Sequence, residues 1–356
     1  MPRKHYSESL IQDCLELWRS LEANGNHLRW GVKDHMARLL SSSSYIIRRS
    51  DVNRILDALQ ARGEVGNHHV AAQTLESKYA GTRGYFGALA QHRLLNNIRS
   101  FKGQKTITPG VHKLLAIPDA HATVGLTNER FAWAGRLAAD RRPEYIVQIG
   151  DWCSWDCFSG HERAGTIKYA KKPSWEIEFA CFNDSVQQFE KQLPKRYNPK
   201  KYEVMGNHEE RIYNYEDANP VTDRAFSGRV EQVFESAGWI WSPYGARQYV
   251  EGVCFTHIPL NVMGKRKSPT AIKRDLSCDL YSGDSHKKLE EKVPKDDENY
   301  TMISGGCFMP EGYLPTYATY TQTGWYYGCQ ILTIEDGRIR DTEWISMKTL
   351  EENYGG

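Results

Sequence analysis

Short runs of apolar and β-branched residues predict buried strands in the C-terminal two-thirds of the chain. Residues 114–117, 145–149 and 202–205 form three such runs, and each is about as long as an ordinary strand. Segments 300–304, 326–334 and 339–347 show the same character, and Glu335-Asp336-Gly337 predicts a hairpin turn between the last two. This part of the chain is therefore predicted to be an α/β domain spanning residues 113–350.

The N-terminal segment has a different period, which is that of amphipathic helices. A first helix is predicted after Ser7, a second around residues 32–40, and a third between Ser50 and Gly63. The apolar positions that carry this period are Leu10, Ile11, Cys14, Leu17, Trp18, Leu21, Val32, Met36, Leu39, Leu40, Val52, Ile55, Leu56 and Leu59. We therefore expect a small helical domain over residues 1–65.

The charge of this region suggests a nucleic-acid partner. Residues 1–110 contain 16 Lys and Arg against 9 Asp and Glu, whereas the whole chain has a net charge of only +2. Arg48, Arg49 and Arg54 lie at the third helix, as they would in a helix-turn-helix or winged-helix module that binds DNA. A small solvated helical cap would show the same pattern, so both interpretations stay open.

Residues 66–112 are predicted to be a connector, because several glycines interrupt any long helix, although residues 89–98 could form one. Aromatic and basic side chains alternate here, as they do in proteins that bind single-stranded nucleic acid. An interdomain helix that packs its aromatic side chains is an equally good interpretation.

Composition narrows the class of protein further. A chain of 356 residues with 40% hydrophobic and 25% charged residues favours a globular protein of two domains. No apolar stretch reaches the roughly 18 residues of a membrane helix, and the first residues lack the apolar core of a signal peptide. The eight scattered cysteines favour reduced thiols, and together these features predict a cytoplasmic protein without membrane contact.

Five polar blocks, most of which directly follow predicted strands, contain the candidate chemistry. They are Asp119-Ala120-His121, Gly150-Asp151, Gly206-Asn207-His208-Glu209, His257 and Gly283-Asp284-Ser285-His286. Open α/β sheets place their sites at the carboxyl ends of strands. Carboxylate, amide and imidazole ligands suit divalent metals such as Mn, Fe or Zn. The blocks therefore predict a metal site.

In this order, the five blocks resemble the calcineurin-like metallophosphoesterase superfamily over roughly residues 113–346. The Gly-Asn-His-Glu block is the most specific of the motifs. The resemblance implies a four-layer α/β/β/α sandwich, in which two mixed sheets pack together between helices. Chains of this layout, with a helical N-terminal region, look like bacteriophage or mobile-element enzymes.

The resemblance also implies a role for each block in a centre of two divalent metals. Asp119, His121 and His286 would bind the first metal, Asp151 would bridge the two, and Asn207 and His257 would bind the second. Asp284 stands where the superfamily usually has a histidine, and its harder carboxylate favours Mn or Mg. His208 would lie beside the scissile phosphate and assist the leaving oxygen.

Further residues near these blocks are candidates for substrate contact. Arg211, one helical turn after His208, is expected to bind a non-bridging phosphate oxygen, and His161 is close enough in sequence to reach substrate. Superfamily members often carry an Asp three residues after the bridging one to orient the catalytic histidine. Here that position is Ser154, and Asp156 is the nearest substitute.

Together these expectations predict one mechanism and leave three alternative functions open. The resemblance implies hydrolysis of a phosphate ester by a hydroxide that bridges the metals. A nucleic-acid phosphodiesterase or nuclease, acting most readily on DNA, is the first hypothesis, because the N-terminal module and the lysine-rich segment 168–201 are basic. The alternatives are a phosphatase acting on nucleotides or phosphoproteins, and a non-catalytic DNA-binding protein with a degenerate metal site.

Overall fold

The architecture was analysed in a computed structural model that describes residues 6–23, 36–37, 39–41, 47, 49–64, 93–97, 105–160, 166–261, 264–274, 276–295, 297–315, 318 and 324–356. The chain divides into two compact units, Met1–Ala90 and Gln91–Gly356. Among the described residues, no helix combines the length and the apolar character that crossing a bilayer would require.

The first unit contains helices α1 (Glu8–Ala23) and α2 (Arg49–Ala61), which pack against each other. Ser7 caps α1 as predicted, since its Oγ accepts a hydrogen bond from the Leu10 N–H at 3.2 Å. Gly63 follows α2 with φ +71°, the left-handed conformation that ends a helix. The predicted middle helix lies largely outside the described residues. Apolar side chains of α1 and α2 form a core of their own, which includes Leu10, Cys14, Trp18, Val52, Ile55, Leu56 and Leu59.

The second unit is built on two mixed sheets, so the predicted α/β class is confirmed. The first sheet has the order β11-β10-β1-β2-β3-β4. Its strands are β1 (Val111–Ile117), β2 (Tyr145–Gln148), β3 (Lys200–Val204), β4 (Trp239–Ser242), β10 (Gly328–Glu335) and β11 (Arg338–Ser346). Strands β1 to β4 are parallel, whereas β10 and β11 form an antiparallel hairpin at one edge.

The second sheet has the order β5-β6-β7-β9-β8. Its strands are β5 (Gln248–Val250), β6 (Val253–Thr256), β7 (Leu280–Ser282), β8 (Lys288–Lys295) and β9 (Glu298–Gly305). The three central strands β6, β7 and β9 are parallel, and β5 and β8 pair antiparallel at the edges.

The two sheets pack face to face, and helices cover the other face of the first sheet. Leu114, Val147 and Val204 of the first sheet share a core with Phe255 and Ile303 of the second. The outer face of the first sheet packs against helical side chains and buried tryptophans. The helices of this unit are α3 (Glu129–Arg141), α4 (Ile167–Ala170), α5 (Trp175–Glu190), α6 (Asn207–Ala218), α7 (Ser227–Ser236) and α8 (Met347–Tyr354).

The apolar pattern identified six of the eleven strands described and missed β4 to β8. All six predicted strand segments fall on β1, β2, β3, β9, β10 and β11, and Asp336 and Gly337 make the predicted turn with positive φ. Strand β8 gave no signal because it lies at a sheet edge and most of its side chains are exposed. Strands β4 to β7 have only three or four residues each, too few to establish a period.

Burial between the two sheets predicts that two isoleucines contribute differently to the free energy of unfolding. Ile303 is fully buried on β9, whereas Ile240 on β4 is 54% exposed. Replacing Ile303 by Ala should lower the free energy of unfolding by about 2–5 kcal/mol, because it removes buried methyl groups and leaves a cavity. Ile240→Ala makes the same chemical change at the surface and should cost less than about 1 kcal/mol. Urea unfolding of the two variants tests this, and equal losses would contradict the assignment of the core.

Candidate metal centre

The predicted blocks meet where the carboxyl ends of strands from both sheets come together. Asp119 follows β1, Asp151 follows β2, and Asn207 is the first residue of α6, just after β3. From the second sheet, His257 directly follows β6, and His286 lies on the loop after β7. Parallel strands in each sheet explain this convergence, since their carboxyl ends lie at one edge.

Buried Asp and His side chains in this region form groups that could hold a metal ion. The groups are Asp119 with His121 and His286, His121 with Asp151 and His208, and Asp119 with Asp151 and His257. In each group the ligand atoms lie within 4.8 Å of one another. Asp151 belongs to two of the three groups, and so does Asp119, which links the groups into one continuous cluster.

The Asp151 carboxylate is at the centre of this cluster. Its Oδ2 lies 3.4 Å from His257 Nε2 and 3.7 Å from Nε2 of both His121 and His208. Its Oδ1 accepts a hydrogen bond from the backbone N–H of His208 at 2.8 Å. One oxygen is thus held by the backbone, and the other faces three imidazole nitrogens.

The hydrogen bonds of His257 leave its inner nitrogen without a proton. Its Nδ1 donates to the Ile149 carbonyl at 2.6 Å, so Nε2 carries a lone pair. That lone pair faces the Asn207 Oδ1 at 3.0 Å and the Asp151 carboxylate at 3.4 Å. Because the nitrogen and both oxygens are electron-pair donors, a cation between them would satisfy all three.

The first group also brings electron-pair donors close together. Nε2 of His121 and Nε2 of His286 lie 3.3 Å apart, and Nε2 of His286 lies 3.7 Å from Asp119 Oδ1. Two imidazole nitrogens and a carboxylate oxygen therefore converge, and this donor set fits a divalent metal here as well.

Burial makes charge unfavourable in this cluster. Desolvation, reinforced by Asp151, raises the pKa of Asp119 well above its usual value, and desolvation raises the pKa of Asp151 to about 7. Desolvation also lowers the pKa of His257 to about 4 and that of His286 to about 3. The imidazoles are therefore neutral, as metal ligands must be, and a cation would stabilise the ionised carboxylates.

Glycines allow the blocks to approach this closely. A Cβ on Gly206 would collide with the Asp151 carboxylate, and one on Gly283 would lie 2.5 Å from Asp119 Oδ2. Gly150 has φ +80°, and a side chain there would meet the backbone of Gly206 at 2.5 Å. Each glycine in the predicted blocks thus leaves the space that a ligand carboxylate or a neighbouring turn occupies.

Glu209 was part of a predicted block, but no role was predicted for its side chain. Its Oε2 accepts hydrogen bonds from the backbone N–H groups of Asp151 at 2.8 Å and Gly206 at 2.9 Å. Its Oε1 accepts from Trp155 Nε1 at 3.2 Å. The available signal was its position in the first turn of α6, from which an acidic side chain can reach back to the preceding backbone.

Arg130 was missed altogether, and no pattern in the sequence identifies it. It is buried on α3 and donates to the carbonyls of Ala120 at 3.0 Å, His121 at 3.1 Å and Phe308 at 2.9 Å. These bonds hold the loop that carries two of the ligands. Desolvation lowers the pKa of Arg130 to about 10, which still leaves the guanidinium protonated near neutral pH.

His208 and Arg211 form a pair beside the Asp151 carboxylate. His208 Nδ1 donates to the Ser154 carbonyl at 2.5 Å, and Arg211 donates both to that carbonyl at 2.8 Å and to His208 Nε2 at 3.0 Å. The Ser154 backbone therefore orients His208. Asp156, the expected substitute, instead lies 3.6 Å from the Arg211 guanidinium.

Asp284 occupies the site in a way that the sequence did not indicate. Its backbone N–H donates to the Asp119 carboxylate at 2.8 Å and 3.1 Å, but its own carboxylate pairs with Arg266. It belongs to none of the three ligand groups found among the described residues. A ligand role for Asp284 stays a prediction, and His161 lies outside the described residues.

A cavity of about 560 Å³ opens onto these residues. His121, Asp151, Asn207, His208 and His286 line it, together with the cationic Arg266 and Lys287 and the aromatic Trp325. Neither Lys287 nor Trp325 was singled out by the sequence, since an isolated lysine or tryptophan has no distinctive spacing. The volume is that of an ordinary small-molecule or cofactor site.

Comparison of the sequence with known protein families gives no match, and comparison with curated proteins gives none either. What the protein does must therefore be inferred from the chemistry of this cavity and of the residues that line it.

Gly206, which lies against the Asp151 carboxylate, generates a prediction about metal affinity. Gly206→Ala should weaken Mn²⁺ binding by about 10–100-fold, as expected when the surroundings of a ligand are disturbed, because the new methyl group displaces the carboxylate. Gly228→Ala on α7 is the control, since a Cβ there meets only ordinary contacts of 3.7 Å. Isothermal titration calorimetry provides the measurement, and equal affinity of both variants for Mn²⁺ would refute a metal role for this cluster.

The raised pKa of Asp151 predicts how the affinity depends on pH. Below about pH 7 the metal-free carboxyl holds a proton that a metal must displace, and above it the carboxylate is already ionised. Apparent Mn²⁺ affinity should therefore increase from pH 6 to pH 8. Asp151→Asn, which has no proton to lose, should bind weakly with a flatter pH profile. Titrations in buffers of different ionisation enthalpy would count the protons released, and an affinity that falls towards pH 8 contradicts the prediction.

Proposed function

We propose that this protein is a metal-dependent phosphoester hydrolase of the calcineurin-like metallophosphoesterase type, acting on nucleic acid. The observation that carries the proposal is the position of Asp151, whose carboxylate lies between the Asp119–His121–His286 group and the Asn207–His257 pair. A carboxylate shared by two ligand groups is the arrangement that a dinuclear centre needs.

We infer that this cluster holds two divalent metals, of which Mn²⁺ is the first choice. Asp119, His121, His286 and Asp151 would hold one, and Asp151, Asn207 and His257 the other. Mixed oxygen and nitrogen ligands suit Mn, Fe or Zn, with Mg as a harder alternative. Such ions would polarise the phosphate oxygens and lower the pKa of the attacking water.

In the proposed reaction, His208 and Arg211 would act on the phosphate itself. Because His208 Nδ1 is committed to the Ser154 carbonyl, its Nε2 is the atom left to handle a proton. Desolvation, followed by the charge of Arg211, lowers the pKa of His208 well below its usual value. An incoming phosphate would attract the Arg211 guanidinium and raise the pKa of His208, so that Nε2 could carry a proton to the leaving oxygen.

The layering of the second unit supports the four-layer sandwich that the resemblance implies. Helices, the first sheet and the second sheet are three layers in order. On the outer face of the second sheet, Ile272 of the short 3₁₀ helix Ala271–Arg274 packs with Leu280 and Met302. Within the described residues this turn represents the fourth layer, which is thinner than the resemblance implies.

Charge around the cavity favours a polyanionic substrate. Arg211 lies beside the ligand cluster, and Arg266 and Lys287 line the cavity wall. With the basic N-terminal region, this favours DNA as the partner and a phosphodiester as the scissile group. We propose in addition that the enzyme is of the bacteriophage or mobile-element type, which chains of this layout resemble.

The Arg266–Asp284 ion pair specifically favours the alternative in which the protein binds DNA without cleaving it. If Arg266 holds the Asp284 carboxylate permanently, the second metal has only Asp151, Asn207 and His257 as ligands from these blocks. A weakly bound second metal would leave a protein that binds DNA without cleaving it.

His208→Ala tests the proposed reaction. It should lower kcat for Mn²⁺-dependent DNA cleavage by about 10²–10⁴-fold, the range for a lost general acid, while leaving metal binding largely intact. His112→Ala, at the opposite end of β1, is the matched histidine control and should retain activity. Plasmid or oligonucleotide cleavage, with metal content measured in parallel, provides the assay.

The outcomes separate the candidate functions. Turnover of p-nitrophenyl phosphate without turnover of bis-p-nitrophenyl phosphate would replace the phosphodiesterase by a phosphatase. DNA binding without cleavage at any Mn²⁺ concentration would favour the non-catalytic alternative. A protein that binds no divalent metal would exclude both enzymatic functions.

A further inference from the structure

A second cavity borders the metal-site cavity, and the Arg266–Asp284 pair lines both of them. The second cavity has a volume of about 420 Å³, and Lys267 and Pro259 line it. Both cavities share Arg266, Asp284 and Ser285 as a common wall. We call the two together the cleft.

We propose that the cleft binds a single-stranded nucleic-acid chain, with Trp325 stacking on a base beside the scissile phosphate and Lys287, Arg266 and Lys267 contacting the flanking phosphates. The proposal rests on the proposed function, and it deepens that function by naming the strand state of the substrate and the residues that recognise it.

Trp325 is held rigidly beside the ligand cluster. Its indole is partly exposed, lines the same cavity as Asp151 and His208, and lies 4.4 Å from the His286 ring between centroids. The backbone ties the two segments together, because the Tyr326 N–H donates to the His286 carbonyl at 3.0 Å and Lys287 forms an isolated β-bridge with Trp325. A ring fixed in this way loses little conformational entropy when a ligand stacks on it.

An aromatic ring at this position has no part in binding phosphate. The metal ligands and Arg211 already provide charge for one phosphate group, so a phosphomonoester without a base would leave the indole without a contact. A planar apolar side chain next to cations is instead the combination that binds nucleotides, in which the base stacks and the phosphate pairs with charge.

The cations that line the two cavities match a chain of phosphates. Lys287 borders the metal-site cavity, Lys267 borders the second one, and Arg266, which pairs with Asp284, borders both. Backbone hydrogen bonds from Asn261 to Lys265 and from Lys267 to Pro259 hold the hairpin that carries Arg266 and Lys267. A substrate with phosphates on either side of the scissile bond would use both cavities, whereas a terminal phosphate would use only one.

Stacking on Trp325 requires a free base face. In a duplex both faces of each base are covered by its neighbours, so a base must leave the helix before it can stack on protein. Because Trp325 lies in the wall of a cavity beside a buried ligand, the base must come to it. A single strand supplies such a base without the cost of unpairing.

Binding to short oligonucleotides tests the inference without relying on catalysis. The full-length protein carrying His208→Ala, which should slow turnover by about 10²–10⁴-fold, would be titrated with Mn²⁺ present. The titrants are a thymidine tetranucleotide, a tetramer of the same length made of abasic tetrahydrofuran residues, and a short duplex. Isothermal titration calorimetry would compare Trp325→Ala, Trp325→Phe, Lys287→Ala and the control Lys292→Ala, whose charge lies further along β8.

The substitutions should separate stacking from charge. Trp325→Ala should weaken binding of the thymidine tetramer about tenfold, as loss of one stacked base does, and leave the abasic tetramer within about twofold. Trp325→Phe should restore most of the loss. Lys287→Ala should weaken both tetramers alike, Lys292→Ala neither, and the duplex should bind more weakly than the thymidine tetramer.

Failure of this inference is distinguishable from failure of the proposed function. If Trp325→Ala weakens both tetramers equally or neither, or if the duplex binds best, the inference is overturned even when the protein with His208 intact cleaves phosphodiesters. If that protein cleaves no phosphodiester, the proposed function fails, and the binding comparison still decides whether the cleft recognises a single strand.

Discussion

The arrangement of this protein's candidate site depends on keeping one carboxylate, that of Asp151, away from water. An unpaired buried charge is costly, so the carboxyl needs compensation from every side. The His208 N–H binds one oxygen and Glu209 holds the Asp151 backbone, whereas the three neutral imidazoles that face the other oxygen bring no charge to it. Burial raises the pKa of this carboxyl to about 7, so a cation beside it would favour its ionised form.

The fold meets this requirement with tight turns at the ends of strands. His121, Asp151, Asp284 and His286 all have φ between +46° and +63°, a conformation that is unfavourable for residues other than glycine. Such strain persists only where the surroundings determine the backbone. Here Arg130 donates to the His121 carbonyl, the Asp151 N–H donates to Glu209, and the Asp284 N–H donates to Asp119. The backbone thus adopts unfavourable φ angles at the positions that carry candidate ligand side chains.

The same pocket combines a cluster suited to metal with a wall suited to nucleotides. The ion pair between Arg266 and Asp284 stands between the two cavities, and it bears on both proposals. It removes a carboxylate that the resemblance would give to a metal, and it fixes a cation where a flanking phosphate would lie. In the proposed enzyme, whether the Asp284 carboxylate binds a metal or Arg266 would thus affect both metal binding and contact with substrate.

The sequence by itself determined six of the strands, the hairpin turn at Asp336 and most members of the buried Asp and His groups that could hold a metal, because these depend on local periodicity and on short motifs. It also placed Ser7 at the start of α1. Only the tertiary structure showed that Ser154, not Asp156, orients His208, that Asp284 pairs with Arg266, and that Arg130 and Trp325 belong to the site. Phe308 lies 178 positions from Arg130 in sequence, and Glu209 lies 58 from Asp151, yet each pair is joined by a hydrogen bond. Such contacts have no local pattern, because they arise only when two sheets bring distant loops to one edge.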